Sequence, residues 1–294
     1  RYDRELKDLF HIQDDITKHI VTALNVKLTH GDFARVWARG TENLDAYLKV
    51  LEAGWLTGQS TREGLERARR LAEEAVALDS KFPTAYYILG AVHMVEALTG
   101  FSKNPRESLE LANKMQQKAI ELDGSFAMAR ALLGYNLAML RRHDEAIAEA
   151  ERAYELAPNS VHVLYWYGTI LSYVGRAGEG VSFLEEALRL DPKPPNSRLR
   201  SLGLALRESG RYEEAIGIYR RAVQREPDDI LAQIGLAATY SLAGREEEAR
   251  TAAKEVLRIN PRFSLDRYMR TLPLKDPTAR ERFAEALRKA GLPD

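Results

Sequence analysis

Four short segments, AYELAP at 153–158, ALRLDP at 187–192, AVQREP at 222–227 and VLRINP at 256–261, share one design in which a proline stands five positions after a small or β-branched residue. Their first residues, Ala153, Ala187, Ala222 and Val256, are separated by 34, 35 and 34 positions. Upstream, AIELD places Ala119 34 residues before Ala153, and AVALDS places Ala75 44 residues before Ala119. A fixed period in this range marks stacked supersecondary units that bury their apolar faces against one another. The ten additional residues of the earlier copy fall around LTGFSKNPRES, which reads as a longer loop within one unit.

Working outward from the anchors, a small residue recurs seven positions before each, and another twelve positions before that. Gly134, Ala146 and Ala153 follow this rule, as do Gly168, Gly180 and Ala187, then Gly203, Ala215 and Ala222, then Ala237, Ala249 and Val256. Two helices that cross closely leave room for only hydrogen or methyl at the contact, so the spacing encodes a helical hairpin. Pro158, Pro192, Pro227 and Pro261 stand where the second helix of each hairpin must stop. The turns inside the hairpins read RRHDEA, GRAGEG, SGRYEEA and AGREEEA, with glycine or aspartate near the end of one helix and acidic residues opening the next.

Composition agrees with a helical body and removes several function classes. The 294 residues are 45% hydrophobic and 29% charged, with 43 basic and 43 acidic side chains, so no net charge or basic tract draws the chain to nucleic acid. With no cysteine there is no disulfide, thiolate nucleophile or zinc–thiolate site. No run of 18 apolar residues suggests insertion in a membrane. Six histidines remain as candidate ligands or bases, and none has zinc-hydrolase spacing; His11, Asp15 and His19 share a helix face and read as solvated. The carboxylate runs Glu213–Glu214 and Glu246–Glu248 are explained by the helix dipole, and GRAGEG lacks the lysine and hydroxyl of a nucleotide loop. No catalytic residue, cofactor or metal is expected.

The repeat resembles the tetratricopeptide-repeat family over residues 44 to about 261. The resemblance implies an all-α fold, a right-handed superhelix of helical hairpins with helical caps at both ends. The first copies depart from the pattern, with Leu51 where glycine is usual. The expected organisation is an N-terminal amphipathic helix and linker over 1–40, six repeat units over 41–262 and capping helices over 263–294. In the first part Leu6, Leu9, Phe10, Ile16, Ile20, Leu24 and Leu28 form one apolar face.

The flanks carry a further resemblance. RYDRELKDLFHIQDDITKHIVTALNVKLT at the start, TENLDAYL at 41–48, GREEEARTAAKEVLRINPRFSLDRYMR at 244–270 and LRKAGLPD at the end are similar to the C-terminal region of large bacterial proteins. In those, a class III adenylate/guanylate cyclase domain precedes a TolB-like domain and then the repeats. The resemblance implies that residues 1–40 are the exit of an upstream domain, that the segment is cut from a longer signalling protein, and that it is itself non-catalytic; the absence of cysteine, for its part, points toward the cytoplasm. The same architecture also occurs with a DNA-binding domain in place of the cyclase.

By resemblance to the family, the first helix of each hairpin lines a concave groove for a protein or peptide. The corresponding residues here are Trp55, Tyr87, Met94, Tyr135, Met139, His162, Tyr165 and Tyr173, followed by Arg200 and Arg207. Such a groove is aromatic and methionine-rich and then basic, which suits an extended or helical peptide with apolar anchors and acidic residues near the arginines. The clamp that some family members use for a terminal carboxylate would need Lys and Asn where Leu48 and Glu52 stand. A self-associating scaffold, with the chain as a homodimer, is the alternative to recruitment of a partner in trans, and residues 4–28 are a further candidate to fill the groove in cis.

Overall fold

A computed structural model describes residues 40–294, so the expected helix over residues 4–28 and the His11–Asp15–His19 face lie outside the described residues. Fourteen α-helices and no strand occur among the described residues. They are α1 Leu44–Gln59, α2 Arg62–Leu78, α3 Pro83–Leu98, α4 Pro105–Leu122, α5 Ala127–Met139, α6 His143–Leu156, α7 Val161–Tyr173, α8 Ala177–Leu190, α9 Asn196–Glu208, α10 Tyr212–Arg225, α11 Ile230–Leu242, α12 Glu246–Ile259, α13 Leu265–Thr271 and α14 Pro277–Lys289. They form two compact units that divide between Gly124 and Ser125.

In the first unit α1 pairs with α2 and α3 with α4, and α3 also packs on α1 and α2. Here the sequence expectation needs correcting. The ten-residue excess is mainly helix rather than loop: α3 and α4 run for 16 and 18 residues against 13 and 14 in the next hairpin, and the connection is only 99–104. That connection is folded, with the Phe101 and Ser102 amides donating to the Glu96 carbonyl and the Arg62 guanidinium 4.7 Å above the Phe101 ring.

The second unit is more regular. Hairpins α5–α6, α7–α8, α9–α10 and α11–α12 stack in order, each first helix touching the first helix of the next hairpin. The prolines at 158, 192, 227 and 261 each stand two residues past the end of a second helix. The small residues sit where the helices cross: a methyl on Gly134 would lie 2.9 Å from the Ala146 carbonyl oxygen, and one on Gly168 would lie 2.7 Å from that of Gly180. A different solution holds the α9 and α11 crossings. There the Tyr219 ring is wedged against both Gly203 and Gly235, and a methyl at Gly203 would meet the ring at 2.7–2.9 Å.

The hairpin turns follow one rule. Each first helix of this unit ends in a Schellman motif, in which the amides of Arg142, Arg176, Arg211 and Arg245 donate to the carbonyls of Leu137, Leu171, Leu206 and Tyr240 at 2.8–2.9 Å. Those four arginines also open the following helix, and each pairs with a glutamate three residues on, Glu145, Glu179, Glu214 and Glu248. The R-x-x-E pattern thus joins the end of one helix to the start of the next. Exposed pairs of this kind contribute at most about 1 kcal/mol each, so they set turn geometry more than stability.

Candidate functional site

The first helices of the second unit bring together the aromatic residues that the sequence singles out. The centre of the Tyr135 ring lies 4.4 Å from that of Trp166 and 6.3 Å from that of Tyr173, and the Tyr165 ring also lies 4.4 Å from Trp166. Tyr135 and Tyr173 share a hydrogen bond, and burial pushes both phenols above their ordinary range. Tyr135 and Tyr165 are each only 9% exposed, while Met139 and Tyr173 are half-buried at the C-terminal ends of α5 and α7. Trp166 completes the cluster and was not singled out from sequence; it falls between two groove positions of the repeat.

The arginines of the basic stretch are paired within the chain. Arg200 is held by Asp229 at 2.6 Å, and Arg198 pairs with Asp191 and lies 3.1 Å from the His162 imidazole. Arg207 is 2% exposed and bonded to Glu208 at 2.9 Å. Burial alone would lower its pKa, but Tyr219 and Glu208 outweigh this and keep it charged. The same burial raises the Tyr219 phenol to about 12. These arginines are components of the fold.

What covers Arg207 is the C-terminal segment. Its guanidinium lies 4.0 Å above the ring of Phe283 on α14, and the neighbouring Arg282 reaches Glu208 at 3.1 Å. α14 packs on α11, with Phe283, Leu287 and Ala286 in the main core of this unit. Before α14, the chain passes the open ends of two other first helices. The Lys275 amide donates to the Tyr173 carbonyl at 2.8 Å, supplying a partner to a last-turn oxygen that has none inside its helix. The Lys275 ammonium pairs with Asp144 at 2.9 Å. Arg141 donates to the carbonyls of Arg270 and Leu272 at 3.3 and 3.1 Å. Residues 270–289 therefore lie along the C-terminal ends of the first helices, in contact with three of the four hairpins and packed on the fourth.

In the first unit, Trp55 is 63% exposed on α1, whereas Tyr87 and Met94 are buried in α3. A cavity of about 250 Å³ lies beside α2, α3 and the 99–104 connection, lined by Arg62, Arg69, His93, Glu96, Phe101 and Lys103. Glu96 takes up Arg69 and His93 at 3.6 and 3.5 Å, which leaves a mixed-charge cleft. Among the described residues no cluster of His, Asp or Glu is arranged to hold a metal ion, and no helix is long and apolar enough to cross a membrane.

Comparison with known proteins agrees with this architecture. Tetratricopeptide-repeat family profiles match residues 108–161, 167–230 and 206–272. A candidate adenylate cyclase of Rhizobium meliloti (strain 1021) is 36% identical over 101 residues, 34% of this chain and 16% of that protein. The small glutamine-rich tetratricopeptide repeat-containing protein 2 of Mycosarcoma maydis is 34% identical over 105 residues, 35% of this chain and 30% of that protein. The chain thus spans less than a third of the length of either relative. Among solved structures, the APC/C hetero-tetramer Cut9–Hcn1 superposes with a TM-score of 0.63 at 16% identity, covering 93% of this chain and 45% of that one. A thermophilic repeat protein of Thermus thermophilus gives 0.51 at 17% identity, covering 65% of this chain and 98% of that one. The profile matches, the all-helical hairpins and the 34-residue punctuation agree, and the chain belongs to the tetratricopeptide-repeat family.

Proposed function

We propose that this chain is a non-catalytic protein-interaction domain of a bacterial adenylate/guanylate cyclase-type signalling protein, working in the cytoplasm and taking an extended or helical peptide on the first-helix face of residues 125–294. One observation carries the peptide-binding part of this reading. A polypeptide segment, the chain's own residues 270–289, is already held along the C-terminal ends of those first helices by a backbone amide–carbonyl bond, ion pairs and an arginine stacked on an aromatic ring. These are the contacts by which repeat surfaces hold peptides in trans. The partly exposed Met139, Trp166 and Tyr173 on the same first helices would add area at low entropic cost. The cyclase part rests on the similarity to the Rhizobium protein together with the flanking sequence.

Site-specific photo-crosslinking tests the reading. With a benzophenone amino acid in place of Met139, irradiation in a host-cell extract should give one dominant protein adduct. The same group at the exposed Glu185 on α8 should give none. Equal adducts at both positions, or none at either, would overturn it.

A further inference from the structure

At the turns after α7, α9 and α11, a residue with positive φ is required, and glycine supplies it at Gly175, Gly210 and Gly244 with φ of 92°, 80° and 76°. The turn after α5 takes the same backbone, but with Arg141 at φ 64°. A side chain in the left-handed region is disfavoured, so this turn forgoes the residue that fits best in three sibling positions. What the arginine gains is reach: its guanidinium donates to the Arg270 and Leu272 carbonyls.

Three such holds lie along one edge. Arg141 grips two carbonyls, the Tyr173 carbonyl receives the Lys275 amide, and the Arg207–Glu208 pair receives Phe283 and Arg282 in opposite senses, ring under guanidinium and guanidinium on carboxylate. Two of them read backbone and are indifferent to sequence. The third reads a consecutive basic–aromatic pair on a helix, with Leu287 one turn further on buried below it. We propose that this edge is a peptide-binding subsite for an amphipathic helix bearing an Arg–Phe pair preceded by an extended lead-in, and that the chain's own C-terminal segment fills it until a partner segment of the same chemistry takes its place. This rests on the peptide-binding reading above and names the ligand chemistry of that surface.

The acceptor charge follows from the geometry. Arg207 is already matched by Glu208, and Glu208 accepts Arg282 as well, so an incoming acidic residue would meet Glu208 unfavourably while a basic one restores the present pairing. The partner is therefore basic and aromatic at this edge, the reverse of what a bare count of groove arginines suggests.

The test uses the whole chain and a fluorescein-labelled synthetic peptide of residues 270–294. Arg141→Gly removes one hold while giving the turn its better-suited residue, so that variant keeps its fold; Phe283→Ala removes the stacked ring. In both, amide hydrogens of 277–289 should exchange at least tenfold faster than in the wild type while α7–α10 are unchanged. The labelled peptide should bind both variants at least tenfold more tightly than the wild type, whose own segment competes. A peptide carrying R282E and F283A should bind at least tenfold more weakly. Unchanged exchange in Arg141→Gly and Phe283→Ala alike, equal binding of the peptide to wild type and variants, or no binding to a variant whose 277–289 amides exchange fast would each overturn the proposal. A negative peptide result with the Met139 adduct intact removes this subsite alone. Loss of the Met139 adduct with the peptide still bound removes the wider recruitment reading.

Discussion

The aromatic stretch from Tyr135 to Tyr173 lies on α5 and α7 and the arginine stretch from Arg198 to Arg207 on α9, the next first helix of the same stack, yet they are finished differently. Around Trp166 the tyrosines pack through ring contacts and carry no charge that needs a partner. Each arginine, by contrast, is met within the chain, Arg198 by Asp191, Arg200 by Asp229 and Arg207 by Glu208 and Phe283. A charge cannot be left half-desolvated without a partner, whereas an aromatic edge can. The arginine stretch is thus where the chain closes on itself, while the aromatic stretch is held by contacts among its own rings.

Removing the most heavily committed residue should show this contrast most strongly. Arg207→Ala strips Glu208 of its buried partner and Phe283 of its stacked cation, and should lower unfolding free energy by about 3–5 kcal/mol in urea titration. A loss under about 1 kcal/mol would place Arg207 with the ordinary surface arginines. Gly203→Ala drives a methyl into the Tyr219 ring wedged between α9 and α11 and should cost about 1–3 kcal/mol in the same assay. In the aromatic stretch Tyr173→Phe deletes one hydroxyl from the Tyr135–Tyr173 hydrogen bond. It should cost only about 0.5–1.5 kcal/mol, and a larger loss would mean the aromatic cluster is as structural as the arginines.

The smallest effect concerns acid. His143 opens α6 beside Lys275 and Arg141; partial burial, then those two cations, holds its pKa below the ordinary value of 6.5, against the weaker opposite pull of Asp144. A histidine depressed in the folded state binds fewer protons there than in the unfolded chain, so stability rises with pH and falls as pH drops through about 6.5. Melting temperature should decline modestly between about pH 7.5 and 5.5, and His143→Asn should flatten that slope. An unchanged slope would show that the histidine is free of the C-terminal segment's charges.

Much of this was legible in the residues. The helices of the second unit begin and end where the prolines and turn glycines place them, because those residues act through local backbone geometry. Gly134 and Gly168 announce helix crossings because a close contact admits only small residues. The R-x-x-E pairs at the turns were equally present in the sequence, in RHDE, RAGE, RYEE and REEE, but a reading confined to helix-dipole effects accounts for the glutamate and overlooks the arginine. The length of α3 and α4 was obscured because Gly100 and Pro105 bracket only the connection, and nothing near them marks how far the flanking helices extend.

By itself the sequence determined the period, the hairpins and the family, since each depends on residues within about a turn of helix or one repeat of one another. Tertiary structure alone decided where the C-terminal segment lies. Arg207 and Phe283 are 76 positions apart, and Arg141 and Leu272 are 131 apart, separations across which no periodicity runs. Only folding brings the C-terminal segment to the ends of the first helices, where unsatisfied carbonyls and a buried guanidinium require partners and the chain supplies its own.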